Sequence, residues 1–311
     1  MAIIPQETRV ALLCGGKSGE REISLSSGKG VQAALIEAGF IVTVLDPADR
    51  HDLVRLIEEN FDVAFIALHG KYGEDGTIQG FLETIDLPYT GSGVWSSATA
   101  LDKARAKVMY ERFGIRTPKS IEFTAEDGLT AADIIDQVGV DCVIKATTEG
   151  SALGVYICHS ADEITEAIKS VFEIDSHALA ETFVAGDEYT IAVLGNEQAK
   201  ALPVIQIVPM NEFYDFESKY AVGGSEHICP APLAPEQTAQ AQGLALAAHQ
   251  ALGCKGVSRT DLIRDNQGLF WVLETNTIPG MTATSLLPDA ARADGISFSE
   301  VCTMMIENAL A

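Results

Sequence analysis

Two short segments near the C-terminus bring oxygen donors together. Ser258–Ile263 and Trp271–Asn276 each read as a strand, and Asp265-Asn266-Gln267-Gly268 between them reads as a tight turn. Residues two apart in a strand share a face. Arg259 and Asp261 therefore project together, and so do Glu274 and Asn276. Paired as a hairpin, Asp261, Glu274 and Asn276 offer two carboxylates and an amide oxygen on one surface. That set suits a hard cation such as Mg²⁺, which takes a few carboxylates along with phosphate oxygens. It equally suits the solvated face of a half-exposed sheet, and spacing alone does not choose between the two.

A second group of residues could handle phosphate. Lys145 ends the apolar run Asp141–Lys145 and is followed by the small-residue loop Glu149-Gly150-Ser151-Ala152-Leu153-Gly154. A lysine beside such a loop can neutralise phosphate oxygens while backbone N–H groups approach them. An edge lysine next to a glycine hairpin is the plain alternative. Lys103 lies in a helical run further upstream. Glu181, Phe183 and Glu188 cluster around a strand end, where an acid pair could hold an adenine edge and ribose hydroxyls. Two better-known nucleotide motifs are missing. Gly16-Lys17-Ser18 lacks the glycine five positions before it, where Ala11 stands, so there is no Walker loop. Gly28-Lys29-Gly30 sits inside a helical run instead of opening one, so it is not a dinucleotide turn.

These residues need elements to position them. The first part of the chain alternates strand and helix: strands at Arg9–Cys14, Ile41–Leu45, Val63–Leu68 and a short Leu87–Tyr89, with a helix over Ser24–Ala38. That pattern predicts a parallel sheet. One helix is expected from about Ser96 to Phe113. Short strands follow at Cys142–Lys145, Val155–Cys158 and Leu179–Glu181, with helices at Thr130–Val138 and Ala161–Phe172. A strand-rich third section begins near Tyr189 and carries a helix at Pro235–Leu252, where proline suits the first turn. Boundaries near 91 and 186 divide the chain into 1–91, 92–186 and 187–311. Trp95 and Trp271 read as packing residues.

At 311 residues and 47% hydrophobic, the chain can build more than one core. It has no apolar run near the roughly 18 residues of a membrane span, and its first residues lack the basic and apolar stretches of a signal peptide. The six cysteines are scattered with no C-x-x-C pair, which points to reduced thiols in the cytoplasm and not to disulfides or zinc. A net charge of −23 argues against nucleic acid. It does not exclude a small anionic ligand in a locally basic cleft.

Taken in order, the motifs resemble the ATP-grasp superfamily, and within it the D-alanine–D-alanine ligases. The resemblance runs from Val10 to about Ser299. It is carried by Gly15-Gly16-Lys17-Ser18-Gly19-Glu20-Arg21-Glu22-Ile23-Ser24, Ala67-Leu68-His69-Gly70, Gly73-Glu74-Asp75-Gly76-Thr77-Ile78-Gln79-Gly80 and Leu87-Pro88-Tyr89-Thr90-Gly91-Ser92-Gly93. Further on come Phe213-Tyr214-Asp215-Phe216-Glu217-Ser218-Lys219-Tyr220 and Glu274-Thr275-Asn276-Thr277-Ile278-Pro279-Gly280-Met281-Thr282. The implied fold is α/β ATP-grasp: an N-terminal doubly wound parallel-sheet domain, a central α+β domain and a C-terminal mixed-sheet domain. The implied reaction joins two D-alanines to D-alanyl-D-alanine through a D-alanyl phosphate, for peptidoglycan precursors. ATP is the phosphoryl donor. The implied cofactors are two Mg²⁺ ions, with Mn²⁺ as a substitute and a monovalent cation as a further candidate. The implied state is a cytoplasmic homodimer that binds neither nucleic acid nor membrane.

The resemblance also implies roles. Glu20 anchors the ammonium of the first substrate and His69 lines its pocket. Ser151 and Tyr220 join Glu20 to latch the domains, and Lys219 reaches the γ-phosphate from a lid around Asp215–Gly224. Arg259 and the backbone N–H of Gly280 are the oxyanion donors. Ser285 and the N–H of Leu286 hold the second substrate's carboxylate. Lys103, Lys145, Glu181, Phe183 and Glu188 bind the nucleotide, and Asp261, Glu274 and Asn276 bind the metal. Two positions depart from the family pattern: Ala146 follows Lys145 where proline is common, and Ala152 stands where a second serine is common. The alternatives are a D-alanine–D-lactate ligase, another ATP-grasp carboxylate–amine ligase, or an inactive ATP-binding regulator. Tyr220 in place of a histidine favours an amine acceptor, because a cationic imidazole would repel an incoming ammonium. Replacing Glu274 by Gln should lower turnover by orders of magnitude and leave the melting temperature nearly unchanged; near-normal turnover would remove the metal assignment.

Overall fold

The computed structural model describes residues 3–151, 153–209, 225–282 and 284–311. The expected lid, with Lys219 and Tyr220, lies outside the described residues, as does Ala152. The described chain contains three sheets.

The first sheet comprises β1 (Arg9–Leu13), β2 (Ile41–Leu45) and β3 (Val63–Ile66) in the order β2-β1-β3, all parallel. The strands β1 and β3 are near-continuous apolar runs because both faces are covered. Helix α1 (Arg21–Glu37) follows β1, and α2 (Arg50–Glu58) follows β2. The expected strand at Leu87–Tyr89 is reduced to one parallel bridge, Ala64 with Tyr89. Helix α3 (Thr77–Thr84) leads into that stretch.

The single helix expected from Ser96 to Phe113 is two, α4 (Val94–Leu101) and α5 (Lys103–Arg112). They part at Asp102, which leaves the helical region at φ −78° and ψ 101° and accepts from the backbone N–H of Ala104 and Arg105 at 3.0 and 3.2 Å. An Asp side chain that caps a new helix competes with continuing the old one. The break places Lys103 at the first position of α5. Trp95, expected to pack, is 55% exposed, although its ring lies over Gly253. Trp271 does pack, with its indole N–H donating to Asp265 Oδ2 at 2.8 Å and Arg116 over its ring.

The second sheet is antiparallel. It comprises β4 (Ser120–Thr124), β5 (Cys142–Ala146), β6 (Val155–Cys158) and β7 (His177–Thr182), ordered β4-β7-β5-β6. Helices α6 (Ala131–Val138) and α7 (Ala161–Val171) bury Ile134, Val138, Ile164 and Val171 against it.

The third sheet holds β8 (Gly186–Leu194), β9 (Lys200–Ala201), β10 (Ile205–Pro209), β11 (Ser225–Ile228), β12 (Val257–Asp265) and β13 (Phe270–Asn276). Its order is β11-β10-β8-β12-β13, with β9 on β8. Helix α8 (Pro235–Ala251) packs on one face, and alanines at 241, 245 and 248 allow a close approach. Helices α9 (Leu286–Ala293) and α10 (Phe298–Ala309) return to the first sheet. Val301, Cys302, Met305 and Ile306 share one core with Val10, Val31, Leu35 and Phe65, and Ser299 Oγ donates to Ala34 O at 2.8 Å. The first sheet is thus finished by the last helix of the chain.

His249 on α8 is 1% exposed and its Nδ1 lies 2.7 Å from Ser258 Oγ. Burial pushes its imidazole down from 6.5 to about 4. The unfolded chain then binds the proton first, so stability is full above about 6.5 and lost as pH falls toward about 4, by roughly 3 kcal/mol in all. Chemical denaturation across that window should show the slope, and His249→Gln should flatten it; an equal slope in both proteins would contradict the assignment.

Candidate active site

A cavity of about 390 Å³ opens where the three sheets meet. The hairpin β12–β13 forms its floor. Asp261 pairs directly with Glu274, and Arg259 with Asn276, as the period-2 pattern requires. A bulge follows Asp261, so the in-register part of the hairpin is the part that carries the site. Arg259 grips Asp261 with both branches, Nε to Oδ1 at 3.0 Å and Nη2 to Oδ2 at 2.9 Å, and Thr190 Oγ1 donates to Oδ1 at 2.6 Å. Lys103 Nζ lies 3.6 Å from Glu274 Oε2 and donates to Glu149 O at 2.6 Å. Asn276 Oδ1 accepts from the N–H of Ile278 at 2.8 Å, which fixes the amide orientation.

The back of the hairpin is tied down as well. Thr260 and Thr275 pair across the strands with hydroxyls 3.0 Å apart, and the fully buried Tyr110 donates to Thr275 Oγ1 at 2.8 Å. Burial pushes the Tyr110 phenol up, so it remains a neutral donor.

The opposite wall comes from the first sheet. Glu20 caps α1 by position but makes no cap hydrogen bond; its carboxylate accepts instead from Ser151 Oγ in the glycine loop. Gly70 leaves room for it, since a Cβ there would lie 2.6 Å from Glu20 Oε2 and Gly70 also sits at φ +67°. His69 is 6% exposed, with Nε2 3.0 Å from Ser27 Oγ. Beside it Glu74 is 7% exposed and accepts from Gly70 N–H at 2.7 Å. Burial raises the Glu20 carboxyl above its usual range and Glu74 adds to this, while the Ser151 hydrogen bond opposes both. Gly280, Ser285 and Leu286 complete the wall. Ser285 stands at the N-cap of α9 yet makes no cap bond; its Oγ accepts from Thr282 N–H at 3.0 Å. A Cβ on residue 280 would meet that Oγ at 2.8 Å.

Four expected nucleotide residues lie apart from this wall. Lys145 and Glu181 form a buried ion pair, 7% and 2% exposed. Phe183 stands edge-on to His159, with centroids 5.6 Å apart. Glu188 lies in β8 between Ile207 and Ile263 in register. Sequence reasoning missed Lys107, Tyr110, Ser27 and Glu74. The first two were open to detection, because Lys103, Lys107 and Tyr110 fall at i, i+4 and i+7 on one helix face. Glu74 lies within a quoted motif. Ser27 gave no signal apart from its place on α1.

Among the described residues no group of three or more His, Cys, Asp or Glu side chains is placed to hold a metal ion by itself. A cation here would therefore rest on Asp261, Glu274 and the Asn276 oxygen. This sparse all-oxygen set fits Mg²⁺, which keeps water and phosphate oxygens in its remaining positions. Arg259 and Lys103 face the two carboxylates and hold them in place on the floor of the cavity.

The family described as D-ala D-ala ligase C-terminus matches residues 109–307, and its D-ala D-ala ligase N-terminus counterpart matches 47–92. A D-alanine–D-alanine ligase from Desulforamulus reducens is 47% identical over 311 residues, covering 97% of this chain and 98% of that protein. The Bacillus anthracis D-alanine–D-alanine ligase complexed with ATP superposes with a TM-score of 0.86 at 34% identity, covering 97% of each chain. The VanG D-Ala:D-Ser ligase from Enterococcus faecalis superposes at 0.85 with 28% identity, covering 98% of this chain and 100% of that one. The architecture is thus that of an ATP-grasp ligase. The chain belongs to the D-alanine–D-alanine ligase family.

Ser151→Ala removes the hydrogen bond that favours ionised Glu20. If activity requires the carboxylate, the acid limb of the pH–activity profile should move to higher pH. An unmoved limb would detach Glu20 from the reaction.

Proposed function

We propose that the protein joins two D-alanines, with ATP as the activating nucleotide, at the cavity above the β12–β13 hairpin. What supports this is a single cavity lined by Glu20, His69, Arg259, Gly280, Asp261 and Glu274. Glu20 offers a carboxylate to the ammonium of the first D-alanine, and His69 closes the pocket beside it. The carboxylate of that substrate takes the γ-phosphoryl group of ATP, giving an acyl phosphate and ADP. The amine of the second D-alanine attacks the acyl carbon. The tetrahedral intermediate then expels phosphate and leaves D-alanyl-D-alanine, a peptidoglycan precursor.

Arg259 and the N–H of Gly280 meet the oxyanion. Asp261 holds Arg259 rigid, so little reorganisation is needed as charge develops; fixed donors of this kind contribute about 3–4 kcal/mol each. Ser285 and the N–H of Leu286 take the second carboxylate. Lys145, Glu181, Phe183 and Glu188 hold the nucleotide, with Lys103 on the phosphate side. Lys219 and Tyr220 close the lid over a water-sensitive intermediate. Asp261, Glu274 and Asn276 would hold two Mg²⁺ ions, or Mn²⁺ in their place, whose chemistry is to neutralise charge on the phosphates. A monovalent cation belongs to the same set of proposed cofactors.

The proposed domain limits are 1–91, 92–186 and 187–311; one sheet lies mainly in each range, while α9 and α10 pack into the core of the first sheet. No helix among the described residues is long and apolar enough to cross a membrane. The six free cysteines suit the reducing cytoplasm. Ile41 and Val44 on the edge strand β2, with Val54 and Ile57 on α2, are exposed apolar residues that suit a homodimer contact.

Fold alone does not set the acceptor, since the similar VanG protein carries the name D-Ala:D-Ser ligase. Mass spectrometry of products from ATP, Mg²⁺, D-alanine and a panel of D-amino and D-hydroxy acids decides it. D-alanyl-D-alanine should predominate over depsipeptide at neutral pH, and its yield should rise with pH as the free amine becomes commoner. Predominance of depsipeptide would install the D-lactate reading, and no D-alanine-dependent ADP release would install the regulator.

A further inference from the structure

The helix α5 carries a lysine that the proposed chemistry does not use. Lys107 is 2% exposed; its Nζ donates to Thr117 Oγ1 at 2.7 Å and to Glu181 Oε2 at 2.8 Å. The other oxygen of Glu181 is taken by Lys145. Two ammonium groups therefore share one carboxylate, all three less than a tenth exposed. Glu111, the other acid near Lys107 on α5, is exposed and screened by water. Burial would raise the Glu181 carboxyl, but the two lysines outweigh it and hold it below the usual range. Burial pulls the Lys107 ammonium down, Glu181 opposes this, and Lys145 adds to it.

A methionine would fill the same space without the cost of burying an ammonium, so packing does not account for this residue. A lone Lys145–Glu181 pair would be neutral. With Lys107 present, the cluster keeps one net positive charge in a region shielded from solvent, where charge acts over longer distances. We propose that Lys107 is a positioning residue of the nucleotide site: it occupies one oxygen of Glu181 and so leaves Lys145 with charge to offer a phosphate. This rests on the nucleotide reading above.

The test compares ATP with adenosine, which lacks the phosphates, by titration calorimetry on the full chain with Mg²⁺. Lys107→Met should lower the ratio of ATP affinity to adenosine affinity by about tenfold or more. Adding Glu181→Gln to that variant returns the net charge to its original value, and the ratio should recover to within about threefold. Lys107→Gln keeps a donor in reach without the charge and reads the same ratio if the methionine variant melts. An unmoved ratio, or equal weakening of both ligands, would overturn the proposal and leave Lys107 a structural residue. A wild-type protein that binds neither ligand would overturn the nucleotide reading, and this proposal with it. A wild type that binds ATP normally beside variants with an unmoved ratio would overturn the Lys107 proposal alone.

Discussion

A buried cation needs a carboxylate or an anionic ligand beside it, and the centre of this protein is arranged around that need. Arg259 is held by Asp261, Lys103 stands near Glu274, and Lys107 and Lys145 divide Glu181. Removing water from such groups costs several kcal/mol per ion unless partners replace it. Each pair therefore constrains both members. The chain is strongly acidic overall, with a net charge of −23, yet it concentrates its buried cations in this region. Only the cluster at Glu181, with two lysines on one carboxylate, carries a cation in excess.

The pairs join elements that are distant in the chain. Helix α5 meets the glycine loop through Lys103, the central sheet through Lys107 and the hairpin through Tyr110. Glu20 and Ser151 are 131 residues apart, and Tyr110 and Thr275 are 165 apart. Ser27 Oγ approaches both His69 and the backbone N–H of Met281, at 3.0 and 3.3 Å, so the wall at His69 is tied to the segment that leads into Ser285.

Much of this was legible in the residues. The period of two put Arg259 with Asp261 and Glu274 with Asn276, and the register of the hairpin brought the two pairs together. The alternation of strand and helix in the first part indicated a parallel sheet. The helix break at Asp102 was less legible: the alanine-rich run around it favours a continuous helix, and only the competing side-chain cap stops it. The Leu87–Tyr89 strand failed because one bridge satisfied the backbone there. Trp95 was misread because large apolar residues are common on surfaces as well as in cores.

The sequence by itself determined which residue types and local elements exist, since backbone periodicity, turn chemistry and side-chain charge are properties of short segments. It also carried the long motifs by which the family is recognised. Only the tertiary structure decided which carboxylate pairs with which cation. Glu181 could pair with one cation or stand exposed at its strand end; packing buried it between two lysines. Glu20 could cap its own helix or bond a loop in another layer; the fold gave it Ser151. Such choices depend on which groups lose their water together, and that is a property of the packed chain and not of any segment.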